Sequence, residues 1–133
     1  MRIMIDTNIL ISAAVLSSPH LLKMINEITE RHKIVLPTYI LEELKHVTER
    51  KFPEKVEALN SFLLELPYEL VYTPQKIDKT KYPEIRDDKD LPILASAIFE
   101  DADVLITGDA DLCVVDTQRP QILTTKQFIE SYC

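Results

Sequence analysis

The chain has 133 residues, of which 46% are hydrophobic and 28% are charged, and its 22 acidic and 15 basic side chains give a formal net charge of −7. This length and composition predict one folded domain that spans residues 1–133, and they argue against a disordered chain. The excess of acids argues against a nucleic-acid binder that relies on a basic surface, because neutralised phosphates supply most of the affinity of such proteins.

Apolar strands and helices alternate along the chain, and the period of the apolar residues distinguishes them. The predicted elements of the first half are a strand Arg2–Ile5, a buried helix 9–15, an amphipathic helix Pro19–Arg31, a strand 33–36, a helix 37–51 and a helix from Pro53 that ends at Pro67. Those of the second half are a strand 70–72, a polar connection 73–86, a helix 90–100, a strand 104–107, a strand Gln121–Leu123 and a helix with a capping box at Thr124. This alternation predicts a parallel sheet with helices on both faces.

Several classes of protein are excluded by residues that the chain lacks. Its single glycine, Gly108, excludes the glycine-rich loops that bind dinucleotides or nucleotide phosphates. Its two cysteines, Cys113 and Cys133, have no companions at zinc-ligand spacing, and such sparse cysteine is typical of a reducing cytoplasm. No apolar run approaches the roughly 20 residues of a membrane helix. We therefore expect a soluble, cytoplasmic protein that has no membrane partner.

The acid excess lies in one stretch of the chain. Residues 87–111 hold eight acids and one base, a formal charge of −7, whereas the rest of the chain holds 14 acids and 14 bases. Two acids follow predicted strands directly, Asp6 after the first and Asp109 after the fourth, and Asp90 begins a helix. Ligands of open α/β sheets bind beyond the carboxyl ends of the strands. We therefore expect these three acids to meet at one edge of the sheet.

Helical phase supplies a fourth acid. At about 100° per residue, Glu43 falls about 60° from Ile40 on the apolar face, whereas Glu42 falls about 160° away. Glu43 can therefore point inward and Glu42 cannot. An inward carboxylate needs a partner, because the burial of an unpaired charge is costly.

Four carboxylates at one edge repel one another unless a cation lies between them. Oxygen ligands with few histidines and no paired cysteines are typical of Mg²⁺ or Mn²⁺ rather than of zinc. Such an ion can activate water, hold a phosphodiester and stabilise a leaving oxygen. The acids therefore predict a metal site through which an acidic protein can bind phosphate.

Five segments of the sequence resemble the PIN domain family in order and spacing. They are residues 3–8 (IMIDTN), 40–44 (ILEEL), 86–95 (RDDKDLPILA), 104–112 (VLITGDADL) and 122–129 (ILTTKQFI). Each motif alone is weak, but the resemblance covers essentially the whole chain.

The resemblance implies a Rossmann-like PIN fold with three layers, α/β/α, around a central parallel sheet of about five strands. It also implies a metal-dependent endoribonuclease that hydrolyses RNA phosphodiester bonds with Mg²⁺ or Mn²⁺. Such a protein is most often the toxin of a type II toxin–antitoxin pair. Its implied partners are an RNA substrate, a small antitoxin protein and a second copy in a homodimer.

Carried over by position, the resemblance implies roles for seven residues. The acidic quartet around the metal would be Asp6, Glu43, Asp90 and Asp109. Asp111 would be an auxiliary acid on the metal side, and Asn8 and Thr107 would orient the carboxylates. The register around Asp90 follows from the Leu-Pro-Ile-Leu-Ala sequence after it, which leaves Asp87 and Asp88 as loop acids or outer groups of the site. No separate protein general base is assigned.

Simpler interpretations exist for each acid alone. Asp6 and Asp90 can be helix caps, and Asp109 and Asp111 can be turn formers. Glu43 alone would more often be a solvated residue. Their joint occurrence, the helical phase and the family order together favour a site.

Other functions fit less well. The segment Asp109-Ala110-Asp111 imitates the nucleophile motif of haloacid dehalogenase phosphatases, but only 22 residues follow Asp111. A response-regulator receiver needs an acidic pair after its first strand, where Asp6 stands alone. A PIN-like scaffold that binds RNA or a protein without cutting is the remaining alternative, against which the four acids argue. No basic stripe is evident, so RNA binding should be weak and metal-dependent unless bases converge in three dimensions.

Overall fold

The structure, a computed structural model, describes all residues 1–133. It contains five strands and seven α-helices. The strands are β1 (Arg2–Ile5), β2 (Lys33–Pro37), β3 (Tyr68–Val71), β4 (Val104–Ile106) and β5 (Gln121–Leu123). The helices are α1 (Thr7–Ala14), α2 (Pro19–Arg31), α3 (Thr38–Lys51), α4 (Val56–Glu65), α5 (Leu91–Phe99), α6 (Ala110–Cys113) and α7 (Thr125–Tyr132).

All five strands are parallel and lie in the order β3-β2-β1-β4-β5. The chain moves outward from β1 through β2 to β3 and then crosses to β4 on the other side of β1. Because crossovers between parallel strands are right-handed, this reversal places the helices on both faces of the sheet. The structure therefore confirms the Rossmann-like, three-layer fold with five parallel strands. The reversal lies between β1 and β4, where open α/β sheets bind their ligands.

The apolar core lies on the central strands and the helices that cover them. Ile3, Met4 and Ile5 of β1 are fully buried, as are all three residues of β4. They belong to a cluster of 27 buried hydrophobic residues, against which α1, α2, α3 and α7 place their apolar sides. The polar residues that follow β1 and β4 are therefore held at a rigid edge of the sheet.

Some predicted boundaries are wrong by a few residues. Pro37 ends β2 and pairs with Val71, so α3 begins at Thr38 rather than at the proline. β3 begins at Tyr68, two residues before the predicted strand, because its pairing with β2 extends over half-buried residues that carry no apolar pattern. Residues 53–55 form a 3-10 turn before α4. The short α6 was not predicted.

The capping box at Thr124 is confirmed. The Thr124 hydroxyl accepts from the Gln127 N–H at 3.2 Å, and the Gln127 side chain accepts from the Thr124 N–H at 2.9 Å. No single helix is long and apolar enough to cross a membrane; α1 and α2 reach the required length and composition only as a pair that is bent by 111°.

Candidate metal centre

Asp6 lies directly after β1 at the carboxyl edge of the sheet and is 6% exposed. Its Oδ1 accepts from the Thr7 N–H at 2.7 Å, and its Oδ2 accepts from the Thr107 hydroxyl at 2.7 Å. Burial raises the pKa of Asp6, and the charges of Glu43 and Asp109 raise it further, although the two hydrogen bonds oppose this rise. Asp6 is therefore both a helix cap and a buried carboxylate that lies among other acids.

Thr107 links two of the predicted acids. Besides donating to Asp6, its hydroxyl oxygen accepts from the Asp109 N–H at 3.0 Å. The Asp109 Oδ1 in turn accepts from the Asp111 N–H at 2.8 Å and caps α6. Thr107 is fully buried beyond the last residue of β4, so these contacts are fixed to the sheet.

Glu43 points inward from α3, as its helical phase predicts, and Glu42 is exposed to solvent. The Thr7 hydroxyl donates a hydrogen bond to the Glu43 carboxylate. Thr7 is the first residue of α1, which packs against α3. One threonine therefore contacts two acids, Asp6 through its backbone and Glu43 through its side chain.

Asp90 differs from Asp6 and Asp109 because capping does not account for it. It occupies the N-cap position of α5, yet its side chain makes no cap hydrogen bond. Its Oδ2 is buried and has no hydrogen-bond partner. Burial raises the pKa of Asp90 to about 7, with further contributions from the charges of Asp109, Asp87 and Asp6. A bound cation would account for a buried carboxylate oxygen that has no hydrogen-bond partner.

The tightest group of acids is not the predicted quartet. Carboxylate oxygens of Asp87, Asp90 and Asp111 all lie within 4.8 Å of one another, and Asp6, Glu43 and Asp109 are not in that group. Hydrogen bonds fix the Asp6 carboxylate to Thr7 and Thr107, the Asp109 carboxylate to the Asp111 N–H, and the Glu43 carboxylate to the Thr7 hydroxyl. Asp87 thus joins the acids at this edge, whereas the Asp88 carboxylate pairs with Lys79 at 2.7 Å.

Asn8 and two unpredicted residues complete the description of this edge. Asn8 is exposed, and its side chain makes no hydrogen bond, so its predicted supporting role stays a prediction. Thr7 and Tyr39 were missed. Tyr39 lies one turn before Glu43 on α3, and its hydroxyl donates to the Lys89 carbonyl at 3.3 Å. Burial raises the pKa of Tyr39, as do the charges of Glu43, Asp90 and Asp6.

The residues present fit a hard divalent cation. Every candidate ligand is a carboxylate oxygen, no histidine or cysteine takes part in the group, and Asp90 offers an oxygen that nothing else satisfies. This donor set matches Mg²⁺ or Mn²⁺. Burial is the main cause of the raised pKa values of Asp6 and Asp90, and repulsion from neighbouring carboxylates adds to it.

The parallel sheet with its reversed strand order places this chain among the Rossmann-like α/β folds. A family model described as PIN domain matches residues 2–111, and the chain belongs to the PIN domain family. The fold is similar to that of VapBC2 from Rickettsia felis, whose crystal structure was solved with a bound DNA fragment from the VapBC2 promoter. The TM-score is 0.71 at 21% identity, over 92% of this chain and 97% of that chain. No curated protein matches the chain.

Proposed function

We propose that this PIN domain is a metal-dependent endoribonuclease that hydrolyses RNA phosphodiester bonds. The observation that carries the proposal is the buried, unpartnered Oδ2 of Asp90, which lies among acids at the carboxyl edge of the sheet. Helix capping and turn formation do not account for so many carboxylates at one place, because mutual repulsion of the carboxylates destabilises the fold. Membership of the PIN domain family supports the same conclusion, since the matched residues include every acid of the cluster.

The carboxylates of Asp6, Glu43, Asp90 and Asp109 would hold Mg²⁺ or Mn²⁺, with Asp111 as an auxiliary acid. When bound, such an ion supplies Lewis-acid chemistry toward water and phosphate oxygens. Thr107 orients Asp6 and Asp109, and Thr7 orients Asp6 and Glu43. These hydrogen bonds keep the carboxylates in place before a substrate arrives, which is the arrangement that electrostatic catalysis requires.

No protein side chain is assigned as a general base. His20 and His46 are exposed, and His32 contacts the chain's amino terminus. Tyr39 is the remaining titratable neighbour of the acids, and its raised pKa makes it a poor base near neutral pH.

The proposal extends to a cellular role. The chain would be the toxin of a type II toxin–antitoxin pair in the cytoplasm, with a small antitoxin protein as its partner and a homodimer as its assembled form. Its fold likeness to VapBC2 supports this role. A short reading frame next to the gene, whose product copurifies with the chain and inhibits cleavage, is the expected result. A chain that has no such neighbour and does not slow growth when expressed would contradict the toxin role alone.

The nuclease proposal is tested with purified protein that is free of any inhibitor. We expect it to cleave single-stranded RNA with Mn²⁺ or Mg²⁺ and to lose this activity in EDTA. Asp6→Asn should abolish cleavage, because it removes a buried charge that Thr7 and Thr107 hold in place. Asp101→Asn, which changes an exposed acid after α5 that pairs with Arg119 and lies outside the acidic cluster, is the matched control and should cleave as the wild type does. Equal cleavage by Asp6→Asn would contradict the assignment of the site. No cleavage by the wild type would leave a PIN-like scaffold that binds without cutting.

A further inference from the structure

A groove of about 1040 Å³ opens beside the acidic cluster. One wall is the end of the connection 73–86, and the other is formed by α6 and the residues that follow it. Asp111 lines the groove and also belongs to the tight group with Asp87 and Asp90. The groove is therefore continuous with the candidate metal centre.

The loop wall of the groove carries the basic residues that the cluster lacks. The connection 73–86 holds four bases and two acids, a formal charge of +2, directly before the segment of −7. Two of these bases, Lys79 and Arg86, line the groove. Bases from separate positions in the connection thus converge in three dimensions next to the acids. The loop wall also carries Glu84, and the opposite wall carries Asp111 and Asp116, so Lys79 and Arg86 are the cationic groups of a groove of mixed charge.

Both bases are held by weak ion pairs that a phosphate can replace. The Lys79 Nζ lies 2.7 Å from the Asp88 Oδ1, and the Arg86 guanidinium lies 3.7 Å from the Asp111 Oδ1. The side chains of Lys79 and Arg86 are 61% and 71% exposed. Exposed pairs of this kind contribute about 0 to 1 kcal/mol each. A cation at Asp111 would also compete for the carboxylate that Arg86 contacts.

The groove also has apolar surface of the kind on which a base can lie. Tyr82 is half-buried on the loop wall, next to Ile85, and Val114 is 58% exposed on the opposite wall. Proteins that bind single strands combine cationic groups along the backbone with aromatic rings for the bases. Stacking on a side chain requires a base that is not paired, which favours a single strand over a duplex.

The start of the connection 73–86 is tied to the helices that carry the site. The Thr73 hydroxyl oxygen accepts from the Tyr39 N–H at 3.1 Å, and the Ser96 hydroxyl lies 3.0 Å from it. The Thr73 N–H donates to the Thr38 hydroxyl at 3.1 Å. The connection is therefore anchored to both α3 and α5, the helices that bring Glu43 and Asp90 to the edge.

We propose that this groove binds the stretch of single-stranded RNA that adjoins the cleaved phosphodiester. Lys79 and Arg86 contact its phosphates, and Tyr82 stacks on an unpaired base. The proposal rests on the proposed function for its choice of RNA as the ligand. It assigns substrate binding to a loop that contributes no acid to the predicted quartet.

The test measures RNA affinity separately from cleavage. A labelled single-stranded RNA is titrated with Asp6→Asn protein in Mg²⁺, so that the RNA is not consumed, and binding is followed by fluorescence anisotropy. Arg86→Ala should weaken binding roughly tenfold. The slope of log K against log salt is negative, and this variant should make it shallower by about 0.7. Tyr82→Ala should weaken binding about fivefold or more. A duplex of the same sequence should bind more weakly than the single strand.

Matched controls come from bases and rings outside the groove. Arg50, at the end of α3, and Tyr72, which is 72% exposed after β3, do not line it. Arg50→Ala and Tyr72→Ala should bind RNA as their parent does. Arg86 is exposed, so its variant keeps the test decisive even if Tyr82→Ala does not fold.

The outcomes separate this proposal from the nuclease proposal. Unchanged RNA affinity in Arg86→Ala and Tyr82→Ala, an equal loss in the two controls, or no RNA binding by the parent would overturn the groove assignment. Unchanged RNA affinity in the two groove variants would favour a protein partner as the ligand of the groove. Failure of wild-type protein to cleave in Mn²⁺ would overturn the nuclease proposal, and loss of affinity confined to the groove variants would still place RNA there.

Discussion

Glu43→Gln should reduce RNA cleavage by at least about 100-fold, whereas Glu42→Gln should leave it unchanged. The two residues are neighbours on α3 and undergo the same chemical change. Only Glu43 points to the acids at the sheet edge, where the Thr7 hydroxyl donates to it, and Glu42 lies in solvent. Glutamine keeps the size of the side chain and can still accept from Thr7, so the loss reflects the missing charge.

The measurement is the initial rate of cleavage of one single-stranded RNA by both variants in Mn²⁺. Thermal unfolding of each variant serves as a control for folding. Comparable rates for the two variants would contradict the assignment of Glu43, and a loss confined to Glu42→Gln would show that the helical phase was misassigned.

Asp90→Asn should stabilise the metal-free protein at high pH and remove the stabilisation that a bound metal gives. In the metal-free protein the pKa of Asp90 is about 7, above its ordinary value of 3.8, so the folded state retains the proton that the unfolded chain loses. The contribution of this group to stability is fully present below the unfolded pKa and is lost as pH rises through the folded pKa. Asn cannot ionise. Asp90→Asn should therefore match the wild type near about pH 4 and exceed its melting temperature near about pH 8.

Saturating Mn²⁺ should reduce this difference, because it stabilises only the wild type. A ligand at about 100 times its Kd stabilises the folded state by about 2.7 kcal/mol, or roughly 8 °C for a chain of this size. We expect that rise in wild-type protein at neutral pH and little or none in Asp90→Asn. Asp88→Asn is the matched control, because Asp88 is an exposed acid of the same turn that pairs with Lys79, and it should keep the full rise. A rise of the same size in Asp90→Asn would exclude Asp90 as a ligand.

Much of the fold is predictable because its elements are buried apolar runs with clear ends. β1, β5 and α2 have their predicted bounds, since apolar residues, prolines and charged residues mark them in the sequence. β3 does not, because an edge strand that is half-buried takes its position from backbone pairing with β2 rather than from its own pattern. The four residues of α6 form around the Asp109 cap, which no periodicity in so short a segment can show.

The positions of the acids are predictable for the same reason. Asp6 and Asp109 follow buried strands, and helical phase places Glu43, so sheet geometry and helix geometry suffice. The hydroxyl groups that orient them are harder to foresee. Thr7 contacts Glu43 only because α1 packs against α3, and Tyr39 reaches Lys89 only because the turn before α5 lies over α3. Such contacts depend on the packing of whole helices.

Location explains half of the eight acids in residues 87–111. The acids of residues 87–111 that matter to the site are Asp87, Asp90, Asp109 and Asp111, and the sequence pattern did not resolve whether Asp87 belongs with them. Lys79 and Arg86 come from separate positions of the connection 73–86 and meet beside the acidic cluster, which no pattern in the sequence shows. A formally acidic chain can therefore place basic residues beside a cluster of acids.

The position of a bound ion tests the central claim most directly. Crystals grown with Mn²⁺, measured at the manganese absorption edge, should show an anomalous peak at the carboxylates of Asp6, Asp90 and Asp109, on the side that Glu43 faces. An ion held only by Asp87, Asp90 and Asp111, or no ion at this edge at saturating Mn²⁺, would contradict the proposed acidic quartet.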